Sequence, residues 1–148
     1  MADNILFARG YNCSQSVLAE YATRLGMTNE DAFKIASAFG GGMARSGRTC
    51  GAVSGALMVI GLRFGSADAE NTGARDLVYA RSQEFMESFF QVFGSLDCRS
   101  LLGRDLSQPG EHELARAEDL FNQVCPEYIN RAISILSAWI QPEDSPLE

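Results

Sequence analysis

The sequence predicts an all-α fold, a compact single-domain helical bundle of about five to six helices spanning residues 1–148, and three observations carry that prediction. No run of alternating valine, isoleucine and threonine bounded by turn residues occurs, so strand signals are almost absent. Apolar residues instead recur at helical spacing in one segment after another. At 148 residues the chain has the length of one domain, whose core can bury roughly two thirds of the unfolded surface without disulfide staples.

Asn12 is a good N-cap for a first helix over 13–25, with Val17, Leu18, Tyr21, Ala22 and Leu25 at helical spacing and Gly26 as its stop. Thr28 and Asp31 have capping-box-like spacing at the head of a second helix over 28–39, which carries Ala32, Ile35, Ala36 and Phe39 on one face and stops at Gly40. Residues 40–47 read Gly-Gly-Gly-Met-Ala-Arg-Ser-Gly, too glycine-rich for a helix and too short for an interdomain linker. The composition is that of a phosphate cradle, but the Gly-Lys-Ser/Thr ending and the preceding strand are missing. The segment therefore reads as a helix-ending loop serving close approach or mobility beside Cys50.

A third helix over 50–64 has Thr49 available as its cap, and Gly51, Gly55 and Ala52, Ala56 at four-residue intervals let another backbone or a cofactor come near. Its apolar run, 51–62, has about half the residues needed to span a bilayer, so it reads as a buried helix. A long fourth helix over 72–93 carries Leu77, Val78, Phe85, Met86, Phe89, Phe90 and Phe93 and should supply much of the core. Its phenylalanines suit either core packing or a homodimer contact.

After Gly94 comes a short turn at Cys98, with Leu101 and Leu102, and Pro109 and Gly110 then break the chain. The remainder predicts one helix over 111–124 and another over 126–141. Pro126 is favoured at a first helical position, which would make Cys125 the N-cap of the last helix. Pro142 should end that helix and leave 143–148 as a frayed tail.

The net charge of −7 and the lack of any lysine or arginine cluster argue against nucleic acid and against an anionic membrane surface as partners. The N-terminal residues lack the pattern of a secretion signal, which makes the cytoplasm the expected location. Permanent disulfides do not suit that reducing compartment, so the cysteines read as metal ligands, redox thiols or core residues.

Those cysteines, Cys13, Cys50, Cys98 and Cys125, each stand alone where a helix is expected to begin. A helix N-terminus presents partial positive charge and free N–H groups, which favour thiolate. Arg48 before Cys50, Arg99 after Cys98 and Arg9 before Cys13 would add to that effect. In a thiol–disulfide protein Cys50 is the preferred nucleophile and Cys13 its resolving partner. In a metal site all four cysteines would converge on an iron–sulfur cluster or another thiophilic metal, with Gly51, Gly55 and Arg48 shaping the site. Their intervals are far longer than the close pairs of a zinc knuckle or ferredoxin loop, so the fold would have to assemble such a site. The alternative is a helical interaction protein with structural cysteines or a zinc staple. His112, the one histidine, lies between Glu111 and Glu113 at a polar helix start and reads as surface, which leaves no imidazole for a Ser-His-Asp or Cys-His arrangement.

The stretch Cys50-Gly51-Ala52-Val53-Ser54-Gly55, with Asn12-Cys13 upstream and two single cysteines downstream, resembles the C_GCAxxG_C_C family, whose description as redox-active rests on its cysteines. The resemblance extends over about 10–136 and takes in Gly40-Gly41-Gly42-Met43, Leu101-Leu102-Gly103 after Cys98, and Cys125-Pro126. It implies a small, mostly helical protein of anaerobic or redox-rich prokaryotic metabolism, sometimes associated with transporter genes, acting with a redox partner in electron or thiol transfer. A related module looks like the N-terminal part of split-Soret cytochromes, which implies an iron–sulfur site as one cofactor. No Cys-x-x-Cys-His sequence is present, so covalent haem is not expected.

Overall fold

Asn12 and Gln15 start the first long helix by bonding each other's backbone. The Gln15 N–H donates to Asn12 Oδ1 at 2.9 Å and the Asn12 N–H donates to Gln15 Oε1 at 2.8 Å, a complete capping box. Gln15 Nε2 also donates to the Phe33 carbonyl at 2.8 Å, and Asn12 Nδ2 to that of Ser37 at 3.1 Å, tying this helix start to the next segment.

The computed structural model describes residues 4–141, and its elements are α1 (Ile5–Ala8), α2 (Cys13–Tyr21), α3 (Asn29–Ile35), α4 (Gly51–Phe64), α5 (Thr72–Phe93), α6 (Cys98–Leu102), α7 (Glu111–Ala117) and α8 (Leu120–Leu136). Short 3-10 turns, Thr23–Leu25 and Ser37–Phe39, follow α2 and α3. The all-α class is as expected, but eight helices stand where five to six were predicted, because α1 and α6 are helices of one turn or so that periodicity cannot register. The expected tail, 143–148, and Pro142 lie outside the described residues. Among the described residues no helix is long and apolar enough to cross a membrane.

Two glycines set the central contact, α2 against α4. A Cβ on Gly51 would lie 2.9 Å from both Cys13 Cβ and the Ser14 backbone N, and one on Gly55 would lie 2.7 Å from the Ser14 carbonyl oxygen. With only hydrogen at those positions the two backbones nearly touch. Val17, Leu18, Val53, Ala56 and Ile60 are fully buried around that contact, and Phe85, Phe89, Ile129 and Leu136 from α5 and α8 complete the main core. A smaller second core gathers Cys98, Leu102, Leu106, Ala115 and Cys125 under α7.

Two predicted features are corrected here. Along α5, Phe85 and Phe89 are fully buried, but Phe90 is 52% and Leu77 38% exposed. Successive helical residues point about 100° apart, so seven apolar residues cover a wider arc than α4 and α8 can shield. Cys125 is no N-cap: it and Pro126 lie inside α8, which begins at Leu120 after Asp119 in a left-handed conformation (φ 56°). Proline at that point removes one helical N–H, and both residues are buried on the face that packs inward.

Replacing Gly55 with alanine should therefore cost about 1–3 kcal/mol through overpacking against the α2 backbone. Gly61→Ala, on the same helix with nothing within 4 Å of its new Cβ, should be neutral or stabilise by about 0.5–1 kcal/mol. Urea midpoints of the two variants check the contrast.

Candidate thiol site

Each cysteine reaches the site by a different local device. Cys13 opens α2 behind the Asn12 cap, and Cys98 opens α6. Cys50 is itself the residue that caps α4, in place of Thr49, because Thr49 is held in an isolated antiparallel bridge with Asp97. Around that bridge the Cys50 N–H donates to the Leu96 carbonyl at 2.8 Å and the Cys98 N–H to that of Arg48 at 2.6 Å. Cys50 and Cys98 thus flank one backbone pairing, although no strand signal precedes either. Cys125 arrives from the second turn of α8.

Cys13 is where the four segments meet. It packs against both cores, the one containing Cys50 and the one containing Cys98 and Cys125. The Cys125 thiol is the neighbour that acts most strongly on Cys13, and Cys50 and Cys98 each lie within electrostatic reach of Cys13. Tyr128, which donates to the Leu101 carbonyl at 2.7 Å, feels Cys125, Cys50 and Cys98 together. All four cysteines are free.

The electrostatics correct the expectation of activated thiolates. The hydrogen bond with Cys125, followed by burial, holds Cys13 well above the ordinary thiol value. Burial pushes Cys50 up to about 12, and the N–H groups of Ala52 and Val53 at the head of α4 only partly offset it. Burial, with the neighbouring Cys50 and Cys13, pushes Cys98 up to about 12 as well. Desolvation outweighs the helix ends because the sulfurs lie in apolar packing where no counter-charge enters. Arginine supplies none: Arg48, Arg99 and Arg9 are exposed, Arg99 faces Asp105 at 3.7 Å, and Arg9 lies 5.7 Å from the Tyr11 ring centre.

Cys13 and Cys98 open onto a cleft of about 740 Å³, whereas Cys50, Cys125, Gly51, Gly55 and Arg48 do not line it. Gly51 lies behind Cys13, against its Cβ, and Gly55 one turn deeper against Ser14. Gly42 performs the same service for Cys98, since a Cβ there would come within 2.6 Å of Cys98 Cβ. Phe7, Tyr11, Leu106 and Phe121 give the cleft apolar walls, with Tyr11 stacked on Phe33 at 3.9 Å between ring centres. The loop after Gly40 forms another wall. Gly41, Gly42, Met43, Ala44 and Arg45 all have positive φ, from 52° to 70°, so the chain makes a left-handed coil at this wall.

Non-glycine residues in that conformation cost about 1–2 kcal/mol each. Here the coil is fastened by backbone bonds, Ala44 N–H to Ala38 at 2.7 Å, Arg45 to Gly40 at 3.1 Å, Gly47 to Gly41 at 3.1 Å and Arg48 to Gly42 at 2.9 Å. The loop lies beside Cys98 and the cleft, and Arg48, two residues before Cys50, is fastened to it.

Residues the sequence reading missed also face this cleft. His112, expected at the surface, is half-buried with its ring 5.3 Å from that of Phe121, and Arg116 and Arg45 line the cleft with it. The four-residue spacing of His112 and Arg116 on one helix face was a legible signal. Arg45 gave none, because its position depends on the left-handed coil.

Among the described residues no three histidine, cysteine, aspartate or glutamate side chains are arranged to hold a metal ion. The four cysteines lie in apolar packing and do not form a ready ligand set for a metal ion. No chemical step is derived through such a group.

The raised thiols carry a signed consequence. A group whose folded value lies above its unfolded one stabilises the fold fully below the unfolded value and loses that contribution as pH rises through the folded value. Stability should hold up to about the ordinary thiol value of 9.0 and then decline as pH climbs toward about 12, with Cys50 and Cys98 contributing most clearly. Urea unfolding at stepped pH measures it, and a flat profile across that interval would contradict the buried-thiol assignment.

The chain was also compared with known proteins. No curated protein and no solved structure matches it. A family model matches residues 11–139, and its description reads "Putative redox-active protein (C_GCAxxG_C_C)". With most of its length under that match, and with Cys13, Cys50, Cys98 and Cys125 all inside it, the chain belongs to the C_GCAxxG_C_C family.

Proposed function

We propose that the protein is a cytoplasmic dithiol redox protein in which Cys13 and Cys125 cycle between two thiols and a disulfide. The observation that carries this reading is the thiol pair itself, which joins the start of α2 to the interior of α8 beside an open cleft. We assign attack to Cys13 instead of Cys50, because Cys13 is the half-buried sulfur that lines the cleft while Cys50 is buried and does not. Cys125, buried behind Cys13, becomes the resolving thiol.

The reaction balances with a disulfide as substrate. The Cys13 sulfur attacks one substrate sulfur, the substrate S–S bond breaks, and the departing thiolate takes up the proton that Cys13 releases. Cys125 then attacks the Cys13 sulfur of the mixed disulfide, a second thiol leaves with the Cys125 proton, and a Cys13–Cys125 disulfide remains. The substrate gains two electrons and two protons as two thiols. A dithiol donor reverses the sequence and restores the pair.

Because the resting Cys13 thiol holds its proton, attack is slow for a substrate that merely collides and depends on one that stays in the cleft. A reducing compartment keeps all four cysteines free between turnovers. The metal reading draws on the same convergence around Cys13, with the four cysteines as ligands after rearrangement. Iron and acid-labile sulfide in anaerobically purified protein would favour it over the dithiol cycle.

Reduced protein treated with a small disulfide, then alkylated and mapped by peptide mass, should yield a Cys13–Cys125 link. Cys125→Ser should accumulate the mixed disulfide on Cys13, Cys13→Ser should form neither product, and Cys50→Ser should still form the link. A wild-type link through Cys50 or Cys98 would overturn the assignment.

A further inference from the structure

The protein is acidic overall, with nineteen carboxylate side chains against twelve basic ones, yet among the described residues no aspartate or glutamate lines the cleft. Its ionic groups are Arg45, Arg116 and His112. They form one cluster: the imidazole feels both guanidinium groups, and burial followed by Arg45 holds it below its ordinary value of 6.5, with Glu113 the one opposing carboxylate. Among the described residues neither arginine has a carboxylate within salt-bridge distance, while Arg104 nearby has two, Glu111 at 3.7 Å and Glu118 at 2.7 Å. The left-handed coil that presents Arg45 runs through three non-glycine residues, so its conformation is imposed against their preference.

A cationic lining inside an acidic protein attracts one class of small molecule and repels others. The volume of about 740 Å³ lies in the range of small-molecule sites, and the walls from Tyr11 and Phe121 suit a short carbon chain. Cys13 and Cys98 lie in the same lining, so a ligand held by the arginines shares its cleft with two sulfurs.

We infer that the cleft selects small anionic disulfides, molecules carrying carboxylate or phosphate groups on short arms around the S–S bond, with Arg45 and Arg116 holding the anionic ends and His112 donating a further hydrogen bond. The inference rests on the Cys13–Cys125 cycle and names its substrate class. The exchange is the one balanced above, with both anionic arms leaving as thiols.

Three small disulfides of similar size and different charge separate the possibilities: 3,3′-dithiodipropionate, bis(2-hydroxyethyl) disulfide and cystamine. Each rate of Cys13–Cys125 oxidation is divided by the rate of the same disulfide with a free small thiol. The dianion should exceed the neutral compound by about tenfold or more at low salt, with cystamine slowest, and the advantage should shrink as salt rises. Arg45→Gln/Arg116→Gln should bring the three rates together, while Arg75→Gln, remote from the cleft, should leave the order intact.

A second readout involves no sulfur chemistry. Octanedioate, which matches the dianion in length, should move the His112 ring resonances and raise the pH at which they titrate, and 1,8-diaminooctane should not. Charge-independent rates together with unmoved His112 resonances would overturn the anion inference and leave the thiol pair standing. Failure of all three disulfides to form the Cys13–Cys125 link would overturn the pair, and the substrate class with it.

Discussion

The closeness of α2 to α4 is the constraint on which the remaining geometry depends. Hydrogen in place of a side chain at Gly51 and Gly55 lets the α4 helix lie against the backbone of Ser14 and the Cβ of Cys13. This single contact fixes the start of α2 relative to the start of α4, and hence Cys13 relative to Cys50. It also leaves Cys13 at the boundary between the main core and the smaller one that holds Cys98 and Cys125. Bulk at either glycine would move a whole helix, because the atoms in the way are backbone and cannot rotate aside.

The sulfur electrostatics follow from that packing. A helix N-terminus offers fractional positive charge, and its effect on a thiol is appreciable only while water or a counter-charge shares the site. Cys13, Cys50 and Cys98 lie in apolar surroundings with other sulfurs as neighbours, so their charged forms are penalised twice, by desolvation and by the next sulfur. A thiol that keeps its proton is a weak nucleophile. In the proposed dithiol cycle each such thiol gives its proton to the sulfur that departs.

The cleft has a different physical basis. Its loop wall is a left-handed coil that Met43, Ala44 and Arg45 would not adopt alone, maintained by backbone hydrogen bonds to Ala38 and Gly40 and from Gly47 and Arg48. The same segment leads into the bridge between Thr49 and Asp97, which brings Cys50 and Cys98 to neighbouring positions. One stretch of chain thereby shapes the cleft, presents a guanidinium to it and sets two of the four sulfurs. Strain concentrated beside the candidate reacting groups suits a wall whose form matters more than its stability.

Local physics made the helices of this protein legible in advance. The Asn12 and Thr28 caps, the stops at Gly26 and Gly94, the apolar stripe from Ile129 to Leu136 and the all-α class are short-range consequences of hydrogen bonding and periodicity. The four cysteines and their flanks likewise identified the family. Which sulfurs pair, how protonated they are and what they face depend on burial and on contacts between residues more than a hundred positions apart, such as Cys13 and Cys125. Cys125 illustrates the division: the proline after it marks a helix start locally, yet α8 runs through both residues because packing against the two cores outweighs one lost hydrogen bond. Sequence determined where the chain coils and which residues bear the chemistry. Tertiary packing alone decided their partners and charge states, because desolvation and proximity are properties of the assembled interior.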